Sequence, residues 1–592
     1  MKNDYVVKKV YQSFVLVSIL TALTVTFGML IDNIIIGRFF GTTAIGAVGI
    51  AVPIGLIFSM IGNISSSGGT ARAAHALGQG DTEHLNRLFS VSILYTVVAG
   101  GILTVFGIIF TPQIAVFLGA RDELIVPATE YIRGYFLGAV PIIMLPTLTG
   151  FVKVDGSVHM PLISMIVMSV SNIVLDLLMV TVFRQGMFGM ALATTISYCL
   201  AVAVDLTHFM KKKCLLRFIL PKKIITELKS IAVSGSPTAV SRICTTFEIA
   251  IFNNLLVTAA GVGAVAAMNV RTQAYNIIGA VTMGVGQALI PVAGMFFGEE
   301  DRSALRGTMR ATLKLGMTLS VTAGALLFFM APVFAKLLGV SDPEVLSMAN
   351  TAMRTFAVSM PVQLFNLVWM NFYQSTKKSG QAIMVCILHT FAYAVLAAFA
   401  LIRLWGSNGV WFAFVIGEIL AAITLYVYVA CKNKKLLPGI SDYMLLDKDF
   451  GSEYEKRWEL SIGNSMEQVM TLSNQITELG KTADMDRHTL NTLALCIEEM
   501  AGNVVRHAFS PGEKKWFDVM ILNKDDSMIV RMRDNGKEFD PVRYLHENKD
   551  TENGRFGIRL ISALSDQFKY RRTIGLNNLI IVVNKKSNYK GE

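Results

Sequence analysis

The recurrence of long apolar runs is the feature that most constrains how this chain of 592 residues can fold. A helix needs about 20 apolar residues to cross a hydrocarbon core of roughly 30 Å. Charged residues make up only 16% of the chain and hydrophobic residues 53%, which excludes an ordinary soluble protein of this length. Runs of the required length lie near 13–37, 46–69, 89–111, 127–150, 161–183 and 187–210, and then near 231–258, 265–297, 308–330, 353–374, 381–402 and 408–431. Because lipid offers no hydrogen bonds to a backbone, these runs predict twelve transmembrane helices.

The first two-thirds of the chain repeats itself at a constant offset of 220 residues. At this offset Gly78 corresponds to Gly298, and Asp81 corresponds to Asp301. Glycines mark backbone turns, so the constant spacing indicates one unit of helices that is used twice. Six is an even number of spans, and both units should therefore enter the membrane from the same side as two six-helix bundles.

The end of the chain has a different character, since the sequence turns polar after Lys435 and has no counterpart at the offset of 220 residues. Its segments WELSI, WFDVMILNK, SMIVRMRDN, FKYRRTI and NLIIVVNK are typical of strands, with helices predicted near 466–480, 486–507 and 556–565. The fold class is therefore an all-α polytopic membrane protein with a C-terminal α/β sandwich. The predicted domains are a first six-helix lobe at 1–220, a second at 221–435, a linker at 436–454 and a soluble domain at 455–592.

Lysine and arginine residues gather at alternate connections between the spans, including Lys8 and Lys9 before the first span and Lys211, Arg217 and Lys223 between the two lobes. By the positive-inside rule, both termini and the C-terminal domain are expected on the cytoplasmic side of the cell membrane. The net charge of +11 then mostly reflects topology, and no nucleic-acid partner is expected.

Three acidic residues lie inside predicted spans: Asp32 in the first, Asp176 in the fifth and Glu248 in the seventh. A carboxylate at the bilayer centre costs about 2.5–3.5 kcal/mol on insertion scales, so such a residue usually faces a polar cavity. Asn172 lies four residues before Asp176 on the same helix face, and Thr194 on the next span can offer a hydroxyl. These side chains predict a proton or sodium site.

A second interpretation is that each of these acids only forms a hydrogen bond to a neighbouring helix. The repeat shows that the chemistry is unequal between the lobes, because the positions equivalent to Asp32 and Asp176 are Phe252 and Leu396. Asp205, near the cytoplasmic end of its span, is expected to reach the membrane interface instead.

Three motifs within the repeat resemble the MATE (multidrug and toxic compound extrusion) family. They are LIDNIIIGRFFGTTAIGAVGIAVPI, similar to its first-helix signature, NIVLDLLMVTVFRQGMFGMALATTIS, similar to its fifth-to-sixth helix motif, and GQALIPVAGMFFGEED, similar to the end of its eighth helix. The resemblance covers roughly residues 8–435. It implies two six-helix bundles that form a V-shaped cleft, and cation-coupled antiport of amphipathic, often cationic compounds across a lipid bilayer.

The resemblance also implies roles for the intramembrane residues. In one branch of the family the coupling site is an Asp of the first helix with an Asn, an Asp and a Thr of the fifth and sixth helices. Those roles fall on Asp32, Asn172, Asp176 and Thr194. In another branch a Glu of the seventh helix and an Asp of the tenth bind sodium. Glu248 matches the former, but the tenth-helix Asp is replaced around Met360 and Pro361, which favours the first-lobe carboxylates.

Two motifs of the C-terminal segment have residue types that suit a nucleotide and its metal ion. IEEMAGNVVRH places Glu499 and Asn503 on one helix face, where a carboxylate can orient a water or hydroxyl and an amide oxygen can bind Mg²⁺. RMRDNGKEFDP follows a strand with Asp534, which can accept a hydrogen bond from an adenine amino group. Gly536 in the same motif gives the base room to approach.

A third motif, NGRFGIRLI, sets Gly554 and Gly557 before a helix whose free backbone N–H groups can bind phosphate. In this order, the three motifs resemble the GHKL ATP-binding fold over about residues 455–588, specifically its anti-sigma-factor serine kinase branch. The resemblance implies ATP and Mg²⁺ as cofactors, with the glycine segment as a mobile lid. The implied roles are Asn503 on the metal, Asp534 on adenine and Glu499 as catalytic base.

The sequence thus predicts a cation-coupled antiporter, driven by H⁺ or Na⁺, that exports amphipathic or cationic small molecules across the cytoplasmic membrane. No GxxxxGK[ST] motif occurs, so no P-loop motor is encoded. The C-terminal domain is expected to regulate by binding ATP, or to act as a protein serine kinase with a cytoplasmic protein as phosphoacceptor. Two alternatives stay open, namely a flippase of a lipid-linked substrate and a transporter-like membrane sensor that controls the kinase domain.

Overall fold

The computed structural model of the protein describes residues 5–211, 214–220, 223–451, 456–482, 487–510, 513, 515–524, 526–547 and 556–585. Its contacts divide the chain into two compact units. Unit 1 comprises Met1–Gln12, Glu300–Thr308 and Leu446–Glu592, and unit 2 comprises Ser13–Glu299 and Met309–Leu445. The boundary between the two predicted lobes, at residue 220, stays a prediction.

Helices make up most of the described residues as far as residue 443. The first half contains α1 (Tyr5–Asn63), α2 (Gly69–Gln79), α3 (Thr82–Ile109), α4 (Thr111–Phe117), α5 (Ile125–Leu137), α6 (Ala139–Val154), α7 (Met160–Thr181) and α8 (Gly186–Leu206). The second half contains α9 (Ile224–Ile278), α10 (Ala280–Gly298), α11 (Arg302–Leu337), α12 (Pro343–Ser375), α13 (Ser379–Ile387), α14 (Tyr393–Trp405), α15 (Ser407–Asn433) and the short α16 (Ile440–Tyr443).

Each of the twelve predicted spans falls on a helix or a helix pair of the structure. Among the described residues, ten helices are long and apolar enough to cross a membrane, and the bent pair Asp122–Leu137 and Ala139–Val154 makes an eleventh. The remaining prediction, at 353–374, falls within α12, which is a long helix but is not one of these. The helical part of the chain therefore has the predicted fold class, with the span on α12 resting on the sequence pattern alone.

The repeat of 220 residues is also visible in the backbone. The helices α1 and α9 are each broken by a single glycine, Gly41 with φ of 79° and Gly261 with φ of 71°. The turn glycines Gly186 and Gly406 are another equivalent pair, with φ of 60° and 57°. Positive φ strains any residue with a Cβ atom, so the same conformation at equivalent positions explains why these glycines recur in the sequence.

Each half of unit 2 packs around its own apolar core. The first core joins α1 to α5, α6 and α8 and includes Phe58 and Phe136. The second joins α9 to α11, α12, α14 and α15 and includes Phe356 and Trp411. Both cores also contain many alanines, which let helix backbones approach closely, as is usual in membrane bundles.

The C-terminal part of unit 1 is a five-stranded antiparallel sheet with helices packed against it. Its elements are β1 (Lys456–Gly463), α17 (Met466–Thr482), α18 (Arg487–His507), β2 (Trp516–Asn523), β3 (Ser527–Asp534), α19 (Pro541–Glu547), α20 (Phe556–Leu564), β4 (Gln567–Thr573) and β5 (Leu576–Asn584). The strand order is β1-β2-β3-β5-β4. One core joins the sheet to α17, α18 and α20 and includes Val469, Ile497 and Phe517, which confirms the predicted α/β fold.

Candidate functional site

The first candidate site is a pair of carboxyl groups in the first half of unit 2. Asp32 on α1 and Asp176 on α7 lie within hydrogen-bonding range of each other. Asp176 is fully buried, and the Oδ1 atoms of both residues are buried without a hydrogen-bond partner among the described residues. Asn172 donates from Nδ2 to the other oxygen of Asp176 at 3.3 Å. The structure therefore brings together three of the residues that the sequence selected.

Thr194, the fourth residue of that set, lies on α8, and its hydroxyl donates to the carbonyl oxygen of Met190 at 3.3 Å. Sequence reasoning missed the tyrosines around the acid pair. Tyr131 on α5 and Tyr198 on α8 both interact electrostatically with Asp32. Their phenol groups can donate hydrogen bonds to a carboxylate, and a tyrosine within an apolar predicted span was the signal available in the sequence.

Glu248 belongs to a different group of charges, in the second half of unit 2. It interacts electrostatically with Arg271, on the same helix α9, and with Glu418 on α15. The guanidinium carbon of Arg271 lies 3.4 Å from the centre of the Phe414 ring, a cation–π contact. Asn366 donates to the Glu418 carboxylate at 2.7 Å. Glu248 thus has a basic group close to it, unlike the acid pair of the first half.

The second candidate site is an open cavity in unit 1, lined by residues of α18, β3, β4 and β5. Two residues selected from the sequence, Asn503 on α18 and Asp534 at the end of β3, line it together with Asn577 of β5. The Oδ1 atom of Asp534 accepts hydrogen bonds from Gly536 N and Asn577 Nδ2, both at 2.8 Å. Burial raises the pKa of Asp534, and the hydrogen bonds from Asn577 and Gly536 oppose that shift.

Gly536 is required by close packing at this site, because a Cβ atom there would clash with the carbonyl oxygen of Ala508. No hydrogen bond reaches the Oδ2 atom of Asp534 from the residues described, so this oxygen is available to a ligand. Apolar side chains, including Met500, Phe539 and Leu579, form a hydrophobic part of the wall of the same cavity. A carboxylate oxygen beside an apolar wall fits an adenine ring with its amino group.

Glu499 lies one helical turn before Asn503 on α18 and meets the start of α20. A Cβ atom at Gly557 would overlap the Glu499 carboxyl group, which would have to shift away from the start of α20. The Nη2 atom of Arg506 lies 3.6 Å from Glu499 Oε2 and 3.5 Å from Asn503 Oδ1. These residues therefore form one polar group, while Gly554 lies outside the described residues.

Comparison with known proteins decides the family. The family model MatE matches residues 18–178 and 237–399, which is more than half of the chain. The chain belongs to the MATE family. A second model, the histidine kinase-like ATPase domain, matches residues 462–583. The protein is thus a multi-pass membrane protein of the MATE family with a C-terminal ATPase-like domain, as the sequence motifs predicted, and such a domain implies ATP binding.

Curated relatives are similar to the membrane part. The multidrug export protein MepA of Staphylococcus saprophyticus is 24% identical over 424 residues, which are 70% of this chain and 91% of the relative. MepA of Staphylococcus aureus strain MSSA476 is 25% identical over 433 residues, 71% of this chain and 93% of the relative.

Solved structures share the fold. One is the outward-facing conformation of a multidrug resistance MATE family transporter of the MOP superfamily, with a TM-score of 0.68, 21% identity, and coverage of 73% of this chain and 97% of that one. Another is a MOP superfamily transporter from Pyrococcus furiosus, with a TM-score of 0.67, 21% identity, and the same coverage of both chains.

Proposed function

We propose that this MATE protein exports amphipathic or cationic small molecules across the cytoplasmic membrane in exchange for H⁺ or Na⁺. The observation that carries the proposal is the contact between Asp32 and Asp176 inside the membrane part. Among the residues described, no ion pair with a basic side chain is formed by either carboxyl group, and each has an orphaned buried oxygen. The names of the MepA relatives support multidrug compounds as the class of cargo.

The proposed ion coupling follows from two like-charged carboxyl groups in a buried environment. Two ionised carboxylates in contact repel each other, and burial makes each more costly. A proton or sodium ion that enters between Asp32 and Asp176 removes this repulsion and occupies the orphaned Oδ1 atoms, while Asn172 keeps Asp176 oriented. One positive charge that moves inward gains about 2.3 kcal/mol per 100 mV of membrane potential. Exchange of that ion for cargo can therefore drive export without a nucleotide motor.

Transport in proteoliposomes tests this function. A labelled cationic compound is loaded, and proton and sodium gradients are imposed separately on wild-type protein and on the Asp32→Asn variant. We expect at least one gradient to drive movement by the wild type, and Asp32→Asn to lose that response. The exposed Asp122, whose φ of 45° also suits Asn, provides the matched control Asp122→Asn, which should behave as wild type. If neither gradient moves any compound, the exporter function is wrong and the flippase or sensor alternative gains support.

The ATPase-like domain is proposed to bind ATP with Mg²⁺ on the cytoplasmic side. Asn503 would hold the metal ion through its amide oxygen and Asp534 would bind the adenine amino group, with Gly536 leaving space for the base. ATP, when bound, supplies a transferable phosphoryl group. Gly554 and Gly557 would hold the phosphate end near Glu499, which can accept a proton from a hydroxyl group of a protein substrate.

One contact within unit 1 supports a regulatory role for this domain. Arg533 and Asp534 are consecutive on β3 and pair with Asn578 and Asn577 of β5. Because successive strand residues point to opposite faces, Asp534 lines the cavity while Arg533 points away from it. The Nη1 atom of Arg533 donates to Asp301 Oδ2 at 2.8 Å, and both side chains are almost completely buried.

Asp301 in turn begins α11, a helix of the membrane part. Its Oδ1 atom accepts a hydrogen bond from Ala304 N at 3.0 Å, as an N-cap residue does. Ser303, in the first turn of α11, donates to Glu459 of β1 at 2.7 Å. A ligand bound to Asp534 would therefore act one residue away from the contact that holds the start of α11. We infer that nucleotide binding changes transport through this contact.

A protein serine kinase is the second candidate for this domain, favoured by the position of Glu499 beside Gly557. Radiolabelled ATP incubated with the full-length protein and cytoplasmic extract distinguishes the two functions. Phosphorylation of a protein that is lost in Glu499→Gln but not in Arg543→Gln, on the exposed surface, supports the kinase. ATP-dependent changes in transport rate without labelling of any protein support regulation by binding.

A further inference from the structure

Three side chains that neither proposed site uses meet at one end of the first half of unit 2. Asp155 follows directly after α6, His208 lies in the short turn Thr207–Met210 after α8, and Cys214 lies in the connection that leads to α9. One potential metal-ligand atom from each residue lies within 4.8 Å of the other two. The end of α6 and the segment that follows α8 thus supply a carboxylate, an imidazole and a thiol to one point.

Two of the three side chains, those of Asp155 and His208, are buried and already held in position, while Cys214 is partly exposed. The Nε2 atom of His208 lies 2.6 Å from Asp155 Oδ2, and the two side chains are only 6% and 3% exposed. The other carboxylate oxygen of Asp155 accepts a hydrogen bond from Leu215 N at 3.0 Å. Because Leu215 follows Cys214, this bond fixes the backbone that carries the thiol. Preorganisation of this kind lowers the entropic cost of binding a ligand.

The three ligand types are those that zinc prefers. Zinc binds Cys sulfur at about 2.3 Å, His nitrogen at about 2.0–2.1 Å and carboxylate oxygen at about 2.0–2.2 Å, with water as the fourth ligand where the protein supplies three. A tetrahedral site needs Asp155 Oδ2 and His208 Nε2 about 3.3 Å apart. The two atoms now lie 2.6 Å apart, so they must move apart by ~0.7 Å to admit the ion. Such a movement is small for groups at the ends of side chains.

A further buried charge lies beside these ligands. Asp205 lies near the end of α8, three residues before His208, and is fully buried. Neither of its carboxylate oxygens has a hydrogen-bond partner among the described residues. The prediction that Asp205 reaches the membrane interface is therefore wrong. The adjacent Ser164 hydroxyl donates to the carbonyl oxygen of Pro161 at 3.0 Å. Asp205 interacts electrostatically with both His208 and Lys153.

The charges of this neighbourhood suit a divalent cation. Lys153 interacts with Asp205 and Arg217 with Cys214, so two basic groups offset the carboxylates of Asp155 and Asp205. A thiolate at Cys214 would leave one further negative charge for the metal to balance. We propose that Asp155, His208 and Cys214 bind one Zn²⁺ ion, with Asp205 as a nearby charge that does not contact the metal. The ion would tie the ends of α6 and α8 to the connection between the two halves of the membrane part.

Metal content of the purified full-length protein tests the proposal. The protein is incubated with Zn²⁺, freed of loose metal by gel filtration and analysed by plasma mass spectrometry. We expect about one Zn²⁺ per chain in the wild type, and loss of most of it in Cys214→Ser and in His208→Gln. The matched control is Cys431→Ser, because Cys431 is an exposed free cysteine on α15, and it should keep the metal.

A second measurement guards against variants that fail to fold. Cobalt(II) added to the wild type should give the intense ultraviolet absorption of a cobalt–thiolate bond, which Zn²⁺ then abolishes by displacement. Cys214→Ser should lack this band, and Cys431→Ser should show it. Wild-type protein that holds no Zn²⁺ after gel filtration, or a Cys214→Ser variant that retains the wild-type amount, overturns the proposal and leaves Asp155 and His208 as a hydrogen-bonded pair.

Discussion

The buried ion pair between Arg533 and Asp301 allows a quantitative test of how the ATPase-like domain is held in unit 1. The substitution Arg533→Met keeps most of the side-chain volume and removes the charge. The side chains of Arg533 and Asp301 are 4% and 1% exposed, so the carboxylate of Asp301 would stay buried without its guanidinium partner. Removal of one partner of a buried pair costs about 3–5 kcal/mol, and 1.4 kcal/mol is a factor of ten. Local opening should therefore become more frequent by a factor of about 100 or more.

Amide hydrogen exchange of the full-length protein measures this opening segment by segment. We expect faster exchange in β3, in β5 and in the first turn of α11 when Arg533 is replaced by Met. The control is Arg543→Met, since Arg543 forms an ion pair with Glu547 at 2.7 Å but both side chains are more than half exposed. Solvent screens the charges of such an exposed pair, so Arg543→Met should leave the exchange rates almost unchanged.

A double variant separates the charge from the other effects of the substitution. Asp301→Asn combined with Arg533→Met removes both charges of the pair and keeps an oxygen for the cap of α11. The double variant should therefore be less destabilised than the sum of the two single variants. The reasoning is refuted if Arg533→Met changes exchange no more than Arg543→Met does, or if the double variant shows simple additivity.

Three further outcomes are expected at the nucleotide cavity. Asn503→Ala should abolish Mg²⁺-dependent ATP binding in a fluorescence titration. Gradient-driven transport by this variant should persist but no longer respond to ATP. Burial raises the pKa of Asp534 above the ordinary value of 3.8, and the adenine amino group needs the carboxylate form as acceptor. ATP affinity should therefore fall on acidification while the pH is still above 3.8. An Asp534→Asn variant should lack this fall in affinity. Gly557→Ala should displace the Glu499 carboxyl group and lower ATP-dependent labelling of a protein substrate, whereas Gly439→Ala in the linker should not.

The outline of the fold could be predicted because it rests on local patterns. Apolar runs predicted the helices. Gly41 and Gly261 share a positive φ that favours glycine, which explains why glycines recur at the constant offset that indicated the repeat. All five strands of the C-terminal sheet lie where alternation and β-branched residues predicted them. The short helix α19 was not predicted, because its seven residues carry too little periodic signal.

The candidate sites were only partly predictable, because their geometry depends on contacts between distant segments. Asp32 and Asp176 stood out as isolated acids in apolar spans. The pair formed by His389 and Glu418, 3.4 Å apart, was missed, although each also lies in an apolar span. The two residues are 29 positions apart on different helical segments, and no local pattern indicates that they meet. The contact between Arg533 and Asp301 joins residues 232 positions apart, and no local pattern indicates such a pairing.

Competition between cargo and coupling ion at the acid pair tests the account most directly. Binding of a labelled cationic compound to the purified protein is measured while either the proton or the sodium concentration is raised. Antiport requires that one of these ions weakens compound binding in the wild type, and linkage makes the effect reciprocal. In a variant carrying both Asp32→Asn and Asp176→Asn, the same titration should leave compound binding unchanged. A wild type that binds the compound equally at all ion concentrations, or a double variant that still responds as the wild type does, would contradict the account.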